Sequence, residues 1–158
     1  MDSYEEVPMI KTFRGLLVQD AIDTVVLHTN TGSTGYRIVK FQLMPHLFGA
    51  GSGELESIVK IYKVPQTAAD EYIDFSDNTL VAAAIINADS SADSYPTVLT
   101  TVFDKEIFNQ DIYVTHKNQH GDAAAVSYYF ELEQVKLDLN QNTVATLKDI
   151  RNVKTQGF

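Results

Sequence analysis

Tyr36-Arg37-Ile38-Val39-Lys40-Phe41-Gln42-Leu43-Met44 is the stretch on which the fold turns. Its side chains alternate, Arg37, Val39, Phe41 and Leu43 opposed to Tyr36, Ile38, Lys40 and Gln42, with the period of two that a pleated strand imposes. Pro45 stops it by removing a backbone donor. Just upstream, Asn30-Thr31-Gly32-Ser33-Thr34-Gly35 is a turn by composition, because Asn and Gly supply the positive φ that a reversal needs.

Further strands flank this one. Ile10 to Gln19 reads as a strand with imperfect alternation, interrupted by Asp20, and Ala21 to Thr29 as a second one. Beyond the flexible Gly49-Ala50-Gly51-Ser52-Gly53 comes Leu55 to Val64, ended by Pro65. Tyr72 to Phe75 reads as a short strand. Leu80-Val81-Ala82-Ala83-Ala84-Ile85-Ile86 suits a buried strand better than two helical turns, and the Ser, Asp and Ala-rich segment from Ala88 to Ser94 is a loop. Thr97 to Phe103, Ile107 to Thr115 and Val126 to Leu137 complete the set, the last two joined by a polar tip from Lys117 to Asp122. Behind Asn142, a good N-cap, Val144, Leu147 and Ile150 recur at helical spacing. About eight strands, with turn signals between them and one terminal helix, predict a sandwich or barrel.

Composition bounds the chemistry. The chain has 158 residues, enough to bury roughly two-thirds of its unfolded surface in a single domain without staples. Its formal net charge of −9 repels phosphate backbones, so no direct nucleic-acid binding is expected. With no cysteine, thiolate catalysis and Cys-rich zinc sites are excluded. The opening Met1-Asp2-Ser3-Tyr4-Glu5-Glu6 lacks the basic stretch of a signal peptide, and no apolar run is long enough to span a membrane, so no membrane span is expected.

Each candidate for chemistry has a plainer reading. His116 and His120 stand four apart, a metal-ligand spacing on a helix, but here they are expected in a solvated hairpin tip. His28 reads as an edge or half-buried strand residue, and His46 supplies no third ligand. The glycines from Gly49 to Gly53 lack the Lys-Ser or Lys-Thr of a phosphate loop. Asp74-Phe75-Ser76-Asp77-Asn78 lacks the Gly and distal Glu of a calcium loop. Glu131 and Glu133 share one strand face, which suits a solvated sheet better than an acid/base pair. No G-x-S-x-G elbow is present, and no catalytic residue, cofactor or metal is expected. The neighbours Tyr128, Tyr129 and Phe130 point alternately to opposite faces, so core packing claims most of them.

Ile107 to Thr115, the polar tip and Val126-Ser127-Tyr128-Tyr129-Phe130-Glu131-Leu132-Glu133-Gln134-Val135-Lys136-Leu137, followed by a short helix from Thr143 to Arg151, resemble the closing hairpin of small jelly-roll structural proteins of bacterial viruses, particularly marine ones. The resemblance implies an all-β, jelly-roll-like antiparallel β-sandwich over residues 9–158; residues 1–8, too polar to join the core alone, are expected to form an acidic arm. The resemblance also implies a capsid or capsid-associated protein that resides in the virion, assembles in many copies as a homo-oligomer and meets other virion proteins. The acidic arm departs from coat proteins that condense RNA through a basic one, so the genome would be packaged by other machinery. By composition, intersubunit contacts are expected at Tyr4 and Val7 of the arm and in loops at Gly32, Ser33, Gly51, Ser52, Ser90 and Ser91. A non-catalytic carbohydrate-binding sandwich is the alternative and requires Tyr128 or Tyr129 on an exposed face. A sugar-modifying barrel enzyme ranks third, because the four His residues show no metal-binding arrangement.

Overall fold

A computed structural model describes residues 9–47, 55–88, 98–119, 125–138, 140–141 and 143–148. Its eight strands are β1 (Met9–Leu17), β2 (Ile22–Val25), β3 (Thr34–Pro45), β4 (Leu55–Tyr62), β5 (Leu80–Ala88), β6 (Val98–Phe103), β7 (Ile112–Asn118) and β8 (Val126–Lys136). They form two antiparallel sheets, one ordered β1-β8-β3 and the other β2-β7-β4-β5-β6. A short helix follows β8.

The strand order is that of a rolled hairpin. Folding an eight-stranded antiparallel ribbon at its middle sets the first strand beside the eighth, the second beside the seventh, the third beside the sixth and the fourth beside the fifth. Rolling it then joins the eighth to the third and the seventh to the fourth. Every one of these pairings is present except that of β3 with β6. Instead, β6 stays hydrogen-bonded to β5. Just after it, Phe108 makes an antiparallel bridge to Tyr36 of β3, with N–H to carbonyl distances of 2.8 and 2.9 Å. The fold is therefore a jelly-roll-like sandwich whose sixth strand closes the larger sheet.

The two inner faces bury one continuous core. Leu17, Ile38, Phe41, Leu43, Phe130 and Leu132 come from the small sheet and Val59, Ile61, Ala84, Ile86, Ile112 and Val114 from the large one. Phe130, fully buried, sits at the centre of the small sheet; Phe13 stacks on it at 5.4 Å and Tyr128 at 5.8 Å between ring centres. Strict alternation along β3 would put Ile38 and Phe41 on opposite faces. The structure corrects this: the register against β8 shifts between Ile38 and Lys40, leaving Val39 exposed, so that Tyr36 and Ile38 before the bulge and Phe41 and Leu43 after it all face inward.

Other expectations are corrected too. Tyr72 to Phe75 is not a strand but part of the connection from β4 to β5, which lies against β4. Lys60 holds it there: its ammonium, on a residue only 1% exposed, donates to Asp70 Oδ1 at 2.5 Å and to the Tyr72 carbonyl at 2.6 Å. The start of the helix is capped by Asp138, whose carboxylate accepts from Gln141 N–H while Gln141 Oε1 accepts from Asp138 N–H; Asn142, the expected cap, lies outside the described residues. The helix turns polar residues to the domain, Thr146 to Asn109 and Lys148 to Glu106, and leaves Val144 and Leu147 exposed. Asp20 adopts a φ of 63° as the third residue of a tight turn closed by Ala21 N–H to the Val18 carbonyl at 3.1 Å, so the chain reverses between the sheets there.

Candidate functional site

The outer face of the small sheet is the candidate site. Antiparallel register places Arg14 of β1, Tyr129 of β8 and Gln42 of β3 in one row, and Leu16, Ser127 and Met44 in the next. These residues, with Lys40, line a groove of about 600 Å³. The Lys40 ammonium lies 5.6 Å from the centre of the Tyr129 ring, and the Tyr129 hydroxyl donates to Glu131 Oε1 at 2.8 Å. Arg14 is exposed, as are Leu16 and Met44. The groove thus offers an aromatic face, two cations, amide and hydroxyl groups and two aliphatic side chains. Glu131 and Glu133 do share this face; Glu133 is engaged by Arg37.

Tyr128 points the other way, as adjacency in a strand requires. Its ring lies against Gly15, where a Cβ would come within 2.7 Å of the phenol oxygen, and its hydroxyl crosses to the large sheet to donate to Asp23 Oδ2 at 2.9 Å. Burial, followed by Asp23, pushes the Tyr128 phenol well above its ordinary range. Tyr128 is a cross-sheet tie and cannot serve as a binding platform.

His116 does not lie in a solvated tip. The strand β7 runs on through Asn118, so Ile112, Val114, His116 and Asn118 all point inward, and His116 is fully buried. Its Nδ1 lies 3.1 Å from the Leu17 carbonyl and 3.0 Å from that of Val18, which requires a proton there and leaves Nε2 to accept from the Ser57 hydroxyl at 2.9 Å. Burial pushes this imidazole below its ordinary value, against the opposing pull of the two carbonyls and Asp20. Ser57 is equally buried, so the pair is sealed from any substrate and joins the end of β1 to β7 and β4. His120 lies outside the described residues.

The remaining candidates resolve into structural roles. His28 is exposed and its Nδ1 meets Asp111 Oδ1 at 2.7 Å; that oxygen also accepts the Leu27 and His28 backbone N–H groups. Burial alone would raise the Asp111 carboxyl, but these donors win and lower it. Asp74 and Asp77 each accept the backbone N–H and hydroxyl of the residue two positions on, Ser76 and Thr79, so their oxygens close turns. Among the described residues no group of three or more His, Asp or Glu could hold a metal ion. No helix there is long and apolar enough to cross a membrane.

Of the residues expected at intersubunit contacts, the structure describes two. Gly32, with a φ of 65°, is buried and its carbonyl accepts from Asn109 Nδ2 at 3.1 Å. Ser33 is half-buried and its carbonyl accepts the Leu137 N–H at 2.8 Å. Both therefore tie the β2–β3 turn to the chain itself. Tyr4, Val7, Gly51, Ser52, Ser90 and Ser91 lie outside the described residues, as do the acidic arm and the loops that carry them. No family model, curated protein or solved structure matches the chain.

Proposed function

We propose that this chain is a structural virion protein, a capsid or capsid-associated block that assembles in many copies and performs no catalysis. The observation that carries the reading is the rolled-hairpin strand order, which yields a rigid two-sheet block. Exposed aliphatic side chains give such a block adhesive surfaces: Met9, Ile10 and Leu16 on the edge strand β1, Met44 across the groove, and Val144 and Leu147 on the helix. Repeated contacts of this kind, each small, close a shell when the same block meets itself by symmetry. Electron microscopy of the purified protein at rising concentration is the test. Closed particles or regular arrays support the reading, and a field of isolated small monomers overturns it.

Tyr129 favours a second reading. With Arg14, Gln42 and Ser127 it makes a groove suited to stacking and hydrogen-bonding a sugar ring, the arrangement a carbohydrate-binding module needs. Saturable binding on a glycan array, lost in Tyr129→Ala and retained in Glu133→Gln, supports it; an array without binding removes it.

A further inference from the structure

We propose that β1 pairs with β1 of a second copy about a two-fold axis at Phe13, joining two three-stranded sheets into one of six. The inference deepens the assembly reading and rests on it. β1 is an edge strand, and its nine residues pair with β8 in constant register from Met9–Gln134 to Leu17–Val126, without a bulge or proline. Such a straight edge is a template for another strand, because among the described residues one row of its backbone donors and acceptors has no ladder partner.

The side chains select the partner and the register. Phe13 and Leu17 face inward, whereas Ile10, Thr12, Arg14 and Leu16 face outward and are exposed. A second β1 running antiparallel about Phe13 sets Ile10 opposite Leu16 of the other copy, twice by symmetry, Thr12 opposite Arg14, Lys11 opposite Gly15, and Met9 opposite Leu17. Aliphatic meets aliphatic, and no like charges stand opposite each other. To keep inward faces together the strand can slip only by moving the axis one residue. One slip sets Arg14 against Arg14 of the second copy; the other sets Ile10 against Arg14 and loses the Ile10–Leu16 pair. The centred register also covers Phe13, which is half-buried at the open edge with one face on Phe130, by the Phe13 ring of the other copy.

The chain has no cysteine, so the register can be read by cross-linking. Directly opposed residues lie about 4.5–5.5 Å apart at Cα, within disulfide range. Thr12→Cys and Arg14→Cys proteins, both altered only on the outer face, are each oxidised alone and as an equimolar mixture, and the reduced mixture is weighed by light scattering. The proposal expects a disulfide-linked dimer in the mixture at several times the yield of either variant alone. Equal yields in all three, or no cross-link in a mixture of high mass, overturn the β1 pairing and leave assembly standing. No cross-link in a mixture of monomer mass overturns both.

Discussion

His116→Gln isolates a buried imidazole that bridges the two sheets. In the folded chain Nδ1–H is shared between two carbonyls and Nε2 accepts from Ser57, all at sites closed to water. A second proton on Nε2 would place a full charge in the sandwich and force the Ser57 hydroxyl to turn round and accept. The folded pKa is therefore lowered, and the unfolded chain takes up the proton first as the pH falls. Stability from this group is complete above the ordinary imidazole value of 6.5 and is lost as the pH falls below it. The limiting slope for one proton is about 1.4 kcal/mol per pH unit. Asp74, Glu106 and Asp111 have lowered carboxyl pKa values, so their losses begin only near and below the ordinary carboxylate range, well separated from the imidazole window. Urea midpoints measured at pH 7.5, 6.5 and 5.5, values chosen to bracket that range of roughly one unit either side of the imidazole, give the assay. The unaltered protein weakens across it. His116→Gln costs about 1–3 kcal/mol at the top of the range through its poorer hydrogen bonds and then stays nearly level. Parallel slopes for the two proteins would refute the reasoning.

Three more perturbations probe the frame. Tyr128→Phe removes the cross-sheet hydrogen bond to Asp23, which costs about 1.5–3 kcal/mol by chemical denaturation; because the folded phenol pKa is raised, its contribution is whole below pH 10.0 and fades above it, and the variant lacks that alkaline decline. Phe130→Ala, at a fully buried ring touching Phe13 and Tyr128, costs about 3–5 kcal/mol, read as a fall in urea midpoint with the slope retained. Asp70→Asn leaves the buried Lys60 ammonium with a weaker partner and costs about 1–3 kcal/mol, with limited proteolysis cutting first between residues 65 and 77 while the strands stay folded.

Strand positions were legible because one face of most strands meets water and the other the core, which writes a period of two into Tyr36–Met44 and Val126–Lys136. Leu80–Ile86 carried no such period because both of its faces are covered, and only its length argued for a strand. The bulge at Val39 was hidden: a single extra residue leaves the local pattern intact and changes only its phase. The aromatics from Tyr72 to Phe75 imitate a strand, yet their position is set by Lys60, a residue distant in sequence. His116 could have been found by extending the inward parity of Ile112 and Val114 by one step instead of ending the strand at Thr115. In the groove, the outward direction of Tyr129 followed from its neighbours. Its companions Arg14, Gln42 and Met44 did not, because they arrive from strands paired to β8 across most of the chain, and register between distant strands leaves no local trace.

Assembly is the claim on which the functional account stands, and sedimentation equilibrium of the purified chain over a concentration series weighs it directly. Moderate salt, by screening a net charge of −9, is expected to favour contacts between copies. The account predicts a mass that rises with concentration to many multiples of 17.6 kDa. A single species at 17.6 kDa throughout, in low and moderate salt alike, would contradict it.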